Sequence, residues 1–241
     1  MRRPDLTAGF AAYISLDLAL QPLFKYLPSK YLDALVGRGE LLFRSLSYFR
    51  NYEELKVRGD RYEGKRLFNP NQGLEITKTE TGEKLLLPEA FEASVKDREI
   101  YTFCLSLQRS NALASEFKAD TCVEFHDPAV LLLKVRSALA LRKWIKRGRL
   151  LHGPVDYYTS TDAPLAEWAV PERMVMRKTS DYGYQREYRL AFARGDALAV
   201  NNVETQITAS SSALQPTLAG HPEHVLKVGS LVKICRVHNV K

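Results

Sequence analysis

The stretch LFKYLPSKYLDALVGRGELLFRS, Leu23 to Ser45, limits the fold more than any other part of the chain. Two strand-length apolar runs, Leu23 to Leu27 and Glu40 to Ser45, flank a segment bounded by Pro28-Ser29 and by Gly37 and Gly39. Ser29 is placed to cap a helix, Tyr31, Leu32 and Leu35 give that helix one apolar face, and a glycine closes it. This is a β-α-β opening with very short joints.

The rest of the chain is rich in further short runs of strand character. LEITKT and KLLLP, with the turn signals NPNQG and ETGEK, predict a hairpin. EIYTFCLSLQ (Glu99 to Gln108), DTCVEFH (Asp120 to His126), VDYYTS, RMVMRK, YQREYRLAF and GSLVKICRV complete the candidate strands. Helical signals are few. SNALASEF is short, and Asp127 with Pro128 reads as an N-cap and first-turn proline opening AVLLLKVRSALALRKWIKRGR. YFRNYEELKVRGDRYEG, ending at Gly64, reads as a surface loop or short helix. TASSSALQP is the one linker-like stretch, and no repeat is visible. The mixed order implies an α+β fold with a largely antiparallel sheet and short helices, in one domain over residues 1–241 with residues 1–22 as an N-terminal extension.

Charge and cysteine content narrow the class of partner. There are 35 Lys+Arg against 28 Asp+Glu, a formal charge of +7, which favours anionic partners such as nucleic acid or nucleotides. Arg136, Arg142, Lys143, Lys146, Arg147 and Arg149 form the most basic stretch, read either as a nucleic-acid contact or as a solvated helix face. Three cysteines, Cys104, Cys122 and Cys235, are too few for a disulfide framework and suit a reducing compartment. Asp17 interrupts the apolar run near the N-terminus, so a soluble cytoplasmic protein without a membrane partner is expected.

Common catalytic signatures are missing. The sequence contains no P-loop, no G-x-G-x-x-G, no H-E-x-x-H and no C-x-x-C. Cys122, Glu124 and His126 would share a strand face, yet no second ligand cluster accompanies them, so no metal is expected there. His221 and His224 in GHPEHV read as loop residues at the surface, and Trp144 and Trp168 as packing residues.

GYQREYRL, Gly183 to Leu190, is the stretch with chemical content. Read as a strand, it puts Gln185, Glu187 and Arg189 on one face and Tyr184, Arg186, Tyr188 and Leu190 on the other. A plain reading makes Glu187 and Arg189 an ion pair backed by aromatic packing.

A Gln-x-Glu on a late strand, in a chain that opens strand-helix-strand, resembles the [Gln/Glu]-x-Glu element of mono-ADP-ribosyltransferases. The chain also resembles a bacterial family of domains of unknown function. The matching pieces, in order, are FKY at Phe24 to Tyr26, FRSLSYFRNYEE with RGDRYEG, FCLSLQ at Phe103 to Gln108, CVEFHDP, and YQREYRL. The first resemblance implies an ADP-ribosyltransferase-like split sheet with NAD as the small-molecule substrate.

It also implies roles. Glu187 falls at the position that holds the ribose of NAD, with Gln185 two residues before it to orient the acceptor. Lys25 takes the first-strand position, and Ser45, with Ser47 after it, takes the second. Lys25 and Arg44 would neutralise the pyrophosphate, while Tyr26, Tyr48 or Phe49 would stack on nicotinamide. Asp60 and Glu63, in RGDRYEG, either line the site or belong to an ordinary turn held by Gly59 and Gly64. Arg189 is expected to brace Glu187.

Cleaving the nicotinamide–ribose bond builds positive charge on the sugar, so a fixed carboxylate stabilises the transition state more than the ground state. The expected activity is therefore NAD-dependent mono-ADP-ribosyl transfer to nucleic acid or protein, as in a bacterial toxin or phage-defence component, with an antitoxin as a possible partner. Two alternatives remain open. One is a non-catalytic nucleotide- or nucleic-acid-binding module of the same fold. The other is a hydrolase or nuclease using Asp60, Glu63 and Glu187 around a divalent ion.

Overall fold

The structure, a computed structural model, describes residues 21–50, 60, 62–145, 150–163, 168, 170–208 and 220–240. In chain order the elements are β1 (Leu23–Leu27), β2 (Glu40–Ser45), α1 (Leu46–Arg50), β3 (Lys65–Phe68), β4 (Leu74–Thr77), β5 (Lys84–Leu87), β6 (Ala90–Ser94) and β7 (Ile100–Ser106). They continue with α2 (Asn111–Glu116), β8 (Thr121–Phe125), α3 (Pro128–Ala140), β9 (Leu151–Pro154), β10 (Asp156–Tyr158), α4 (Pro171–Val175), β11 (Arg177–Thr179) and β12 (Glu187–Ala193). β13 (Glu204–Thr208), β14 (Glu223–Lys227) and β15 (Cys235–Asn239) complete the set. The fold is mixed α+β, with mostly antiparallel sheets and a few short helices.

An eight-stranded sheet runs β14-β2-β7-β1-β8-β15, with β12 on β7 and β9 beyond it. β7 is its axis. Along one edge β7 pairs with β12 over its full length, from Glu187↔Ser106 to Ala193↔Ile100. Its other edge is shared: β2 takes the beginning through Arg44↔Thr102 and Ser45↔Tyr101, and β1 takes the end through Phe24↔Ser106. Lys25 Nζ reaches the Cys104 carbonyl between those two contacts at 2.7 Å.

Cross-strand partners share a face of the sheet, so the register sorts the side chains. Tyr101, Phe103, Leu105, Tyr188, Leu190 and Phe192 face α3, where Leu131, Val135 and Leu139 cover them in the largest core. The opposite face carries Ile100, Ala191 and Ala193, packed with Trp168, Met174 and Val175 of a smaller layer. That layer includes the antiparallel β13-β6-β3 sheet and the parallel β10–β11 pair. Glu187 and Arg189 point into the space between the two layers, on the face of the short alanines.

Several expected elements form as read. Asp127 caps α3 by accepting from the Val130 N–H at 3.0 Å, with Pro128 as its first residue. Ser110 caps α2 in the same way. β4 and β5 make the expected hairpin.

Others differ. Ser29 does not cap a helix; its N–H and hydroxyl donate to Asp120, and the joint is a 3-10 turn, Ser29–Tyr31, followed by a π turn, Asp33–Gly37. Gly39 then turns at φ 63°, where a Cβ would collide with the Gly229 carbonyl. RMVMRK is not one strand, because Pro171 opens α4 and β11 starts only at Arg177. GSLVKICRV is a 3-10 turn, Val232–Ile234, before β15. His224 lies on β14 instead of in a loop and meets the Trp144 ring edge-on at 5.1 Å. The expected N-terminal extension, apart from its last two residues, and all but Thr208 of TASSSALQP lie outside the described residues.

Candidate active site

The GYQREYRL stretch is only partly a strand. Ser180–Gln185 form a 3-10 turn, Arg186 is left-handed at φ 42°, and β12 begins at Glu187. Gln185 is therefore not on the strand face expected for it. It is nevertheless brought to Glu187, because Lys178 of β11 donates to Gln185 Oε1 at 3.1 Å and to Glu187 Oε2 at 3.2 Å.

Arg189 ties this end of β12 to the loop before β3. Its Nε donates to Glu187 Oε1 at 2.7 Å, while Nη1 and Nη2 fork the two Glu63 oxygens at 2.6 and 3.2 Å. Nη1 also donates to the Val175 carbonyl. Arg189 braces Glu187, as its place two residues along the strand implies. The ion pair of the plain reading forms, and it is buried, with Arg189 and Glu187 only 1% and 4% exposed.

Asp60 and Glu63 are held by α1. The Phe49 carbonyl accepts from the Asp60 N–H at 3.0 Å, and Arg50 Nη2 donates to the Glu63 carbonyl at 2.8 Å. Asp60 Oδ1 accepts from the Tyr62 N–H at 2.8 Å, as in a turn. Asp60 Oδ2 is buried and has no hydrogen-bond partner.

Three carboxylates, Asp60, Glu63 and Glu187, thus share a buried space with two cations, Lys178 and Arg189. Burial pushes the Glu187 carboxyl up, but Arg189 and Lys178 outweigh it and hold the group well below the usual carboxylate range. Burial would lower Lys178, yet Glu187 and Glu63 keep it charged and raise it. Asp60, which has no direct cation partner among the described residues, is raised by burial. Opposite Arg189 on β7, burial pushes the Cys104 thiol up to about 12.

A buried ion network of this kind stabilises a fold no better than well-packed apolar side chains of similar volume. Clusters of shifted titratable groups are instead concentrated where ligands are handled.

The other expected site residues are not gathered here. Phe24 pairs with Ser106, which pairs with Glu187, so Lys25 falls on the opposite face, with its Nζ 4.4 Å over the Phe103 ring. Tyr26 accepts from the Ser110 N–H at 2.7 Å and donates to the Gln108 carbonyl at 2.8 Å, bracing the entry to α2. Arg44 pairs with Glu223 at 3.0 Å and lies 4.0 Å over the Tyr48 ring. Its register is four residues along β7 from that of Glu187, about 13 Å at the strand rise. Ser45 is buried and shares a hydrogen bond with Ser47 at 2.9 Å, and His221 joins the same group. Tyr48 meets Phe49 edge-on at 5.3 Å, so Phe49 touches the site through its backbone and not as a stacking platform.

The basic stretch also changes character. α3 ends at Ala140, and Arg142 and Lys143 follow it in an exposed turn, not on a helix face. Lys146, Arg147 and Arg149 lie outside the described residues.

Two participants carry no sequence signal. Lys178 looks like a solvated strand residue in RMVMRKTS, and Tyr157, whose hydroxyl accepts from the Glu187 N–H at 2.9 Å, looks like any strand aromatic. The hydrogen bond to Gln185, seven residues on, is what ties Lys178 to the motif.

No protein-family model matches the chain, and neither a curated protein nor a solved structure matches it. Among the described residues no helix is long and apolar enough to cross a membrane.

Proposed function

We propose that this chain is an ADP-ribosyltransferase-like protein that takes NAD at the carboxylate cluster where β12 begins, with nucleic acid or protein as acceptor. The observation that supports it best is the unanswered acceptor capacity of that cluster. Carboxylates outnumber cations, and Asp60 Oδ2 is buried with no donor. A ribosyl group brings hydroxyl donors, and it develops positive charge as its bond to nicotinamide breaks. Glu187, kept ionised by its neighbours, would face that charge, and Gln185 would orient the acceptor.

Glu187 is covered by the Ser180–Gln185 turn, which lays the Tyr182 ring 4.5 Å from Lys178 Nζ. Access to the carboxylate therefore requires that turn to lift. The pairing of both Glu187 oxygens with cations favours a second reading, a nucleotide-binding module that does not turn NAD over. The hydrolase reading fits less well, because the Arg189 guanidinium stands between two of the three carboxylates that a divalent ion would need.

The test is to incubate the protein and Glu187→Gln with NAD labelled on its adenylate, with and without nucleic acid and lysate, and to follow free nicotinamide and labelled macromolecules. The transferase reading expects release and labelling that fall roughly 10²–10³-fold in Glu187→Gln, the scale for losing one transition-state electrostatic contact. Binding of NAD without release would select the second reading. Neither binding nor release would refute both.

A further inference from the structure

Beside the carboxylate cluster lies a second group with the opposite need. Arg66, on β3, is 5% exposed, and its guanidinium is held between two rings, 4.0 Å from Tyr158 and 4.8 Å from Trp168. Arg66 Nε and Nη1 are both buried without a hydrogen-bond partner. Trp168 Nε1, on one of the rings that hold it, is buried and unpartnered as well, and the buried Tyr158 hydroxyl, whose oxygen faces the Leu67 backbone N–H, has no acceptor for its own proton. All of these are groups that can donate.

Buried cations in folded proteins are paired or liganded, because leaving one uncompensated forfeits its hydration. Among the described residues, the carboxylates nearest Arg66 are engaged elsewhere. Its neighbour Lys65 holds Glu92 at 2.6 Å, Arg177 holds Asp156 at 2.8 Å, and Asp162 accepts from the N–H and hydroxyl of Thr159. Burial, and then the charge of Arg177, makes the Arg66 guanidinium easier to deprotonate than usual, which marks it as a cation short of an anion.

We infer that Arg66, with the Tyr158 hydroxyl and the Trp168 N–H, binds the phosphate of a nucleotide whose sugar reaches the Asp60–Glu187 cluster. A phosphoryl group offers several oxygens to a guanidinium fork and to the adjacent neutral donors, which is the pattern of unmet groups here. The Tyr158 ring, 4.0 Å from the Arg66 guanidinium, also feels the charge of Asp60, which places the two groups on either side of one phenol. A ligand that reaches both must donate at one end and be anionic at the other, as a phosphorylated sugar is. This assigns the pyrophosphate to Arg66 instead of Lys25 and Arg44. The sugar half of the assignment rests on the NAD reading above; the phosphate half does not.

The test uses the full chain, with inorganic pyrophosphate, ADP and adenosine as probes. Thermal unfolding and Trp fluorescence report binding, since a ligand of the native state raises the melting temperature. Pyrophosphate and ADP should stabilise the protein and adenosine should not. Arg66→Gln should weaken both phosphates roughly tenfold to a hundredfold, the worth of one or two charge-assisted hydrogen bonds. Tyr158→Phe keeps the ring and removes one donor, whereas Trp168→Phe removes the indole donor together with buried volume in the apolar layer, so each variant is read against its own ligand-free melting temperature, and both should bind phosphate more weakly.

No shift with either phosphate, or unchanged affinity in Arg66→Gln and both ring variants, would overturn the site. If ADP binds through Arg66 but NAD releases no nicotinamide, the phosphate site stands and the transferase reading falls. If NAD is turned over with an unchanged KM in Arg66→Gln, the transferase reading stands and the phosphate site falls.

Discussion

Replacing Arg189 by methionine removes the only side chain that bridges Glu63 and Glu187 among the described residues, and with it three side-chain hydrogen bonds at 2.6 to 3.2 Å. Both carboxylates stay buried, and Glu63 keeps no direct cation partner. Breaking a buried pair by removing one partner costs about 3–5 kcal/mol, a third or more of the stability of many domains. The loss comes mainly from carboxylates left buried without their cation, with Glu63, which burial already pushes up, forced to take a proton. Replacing Glu63 by methionine as well should therefore recover much of it, leaving the double variant clearly more stable than Arg189→Met alone. Urea unfolding followed by far-UV circular dichroism measures this, provided the slope with denaturant is unchanged. A loss below about 1 kcal/mol for Arg189→Met is what an exposed pair gives, and would refute the buried network. A double variant no more stable than the single one would refute that account of the loss.

Two further outcomes concern pH. Asp60 has a raised folded pKa, so its favourable contribution is complete below the unfolded carboxylate value and is lost as pH rises through the folded one. Asp60→Asn should accordingly be more stable than the parent at pH 8, with the difference shrinking towards pH 4 in matched unfolding curves; a pH-independent difference would contradict this. His152, on β9, is lowered to about 4 by burial and by Arg136, so it is neutral when folded and its contribution is lost as pH falls from about 6.5 towards 4. Discounted for its partial exposure, that loss is about 1–2 kcal/mol, and His152→Gln should flatten the stability profile in that window.

What could be read from the sequence follows the range over which each signal acts. β1, β2, β7 and β8 announce themselves by apolar runs, and α3 by Asp127-Pro128, because each depends on neighbours a few residues away. Ser29 misleads because its partner is Asp120, a contact no local rule contains. Gln185 misleads for the same kind of reason: the left-handed Arg186 breaks the alternation, and Lys178 restores the contact with Glu187 by another route. Glu63 and Arg189 are 126 positions apart, so their pairing became visible only once β12 and the loop before β3 were placed. Arg66 is the extreme case. In KRLF it looks like a solvated strand cation beside Lys65, and nothing local distinguishes the residue that pairs with Glu92 from the one that is buried without a partner.

The placement of the ion cluster also separates its opening from the stability of the core. One face of β12 is graded: Ala191 and Ala193 pack into the apolar layer, while Glu187 and Arg189 occupy the other end. The turn over Glu187 is tied down by polar contacts, from Lys178 to Gln185, from Ser106 Oγ to the Gln185 carbonyl and from Gln108 Nε2 to the Tyr184 carbonyl. Tyr184 itself is 41% exposed. Lifting this turn exchanges hydrogen bonds for water, each with a net value of only about 0.5–1.5 kcal/mol, and leaves the aromatic packing of Phe43, Phe103 and Phe192 untouched. Arg189, in contrast, holds Glu187 to Glu63 and, among the described residues, makes no hydrogen bond to the turn. A carboxylate fixed by a buried guanidinium and tied to the turn only through separable polar contacts keeps its Arg189 bond when the turn lifts. For the NAD site proposed above, that arrangement keeps the carboxylate in place before ligand enters.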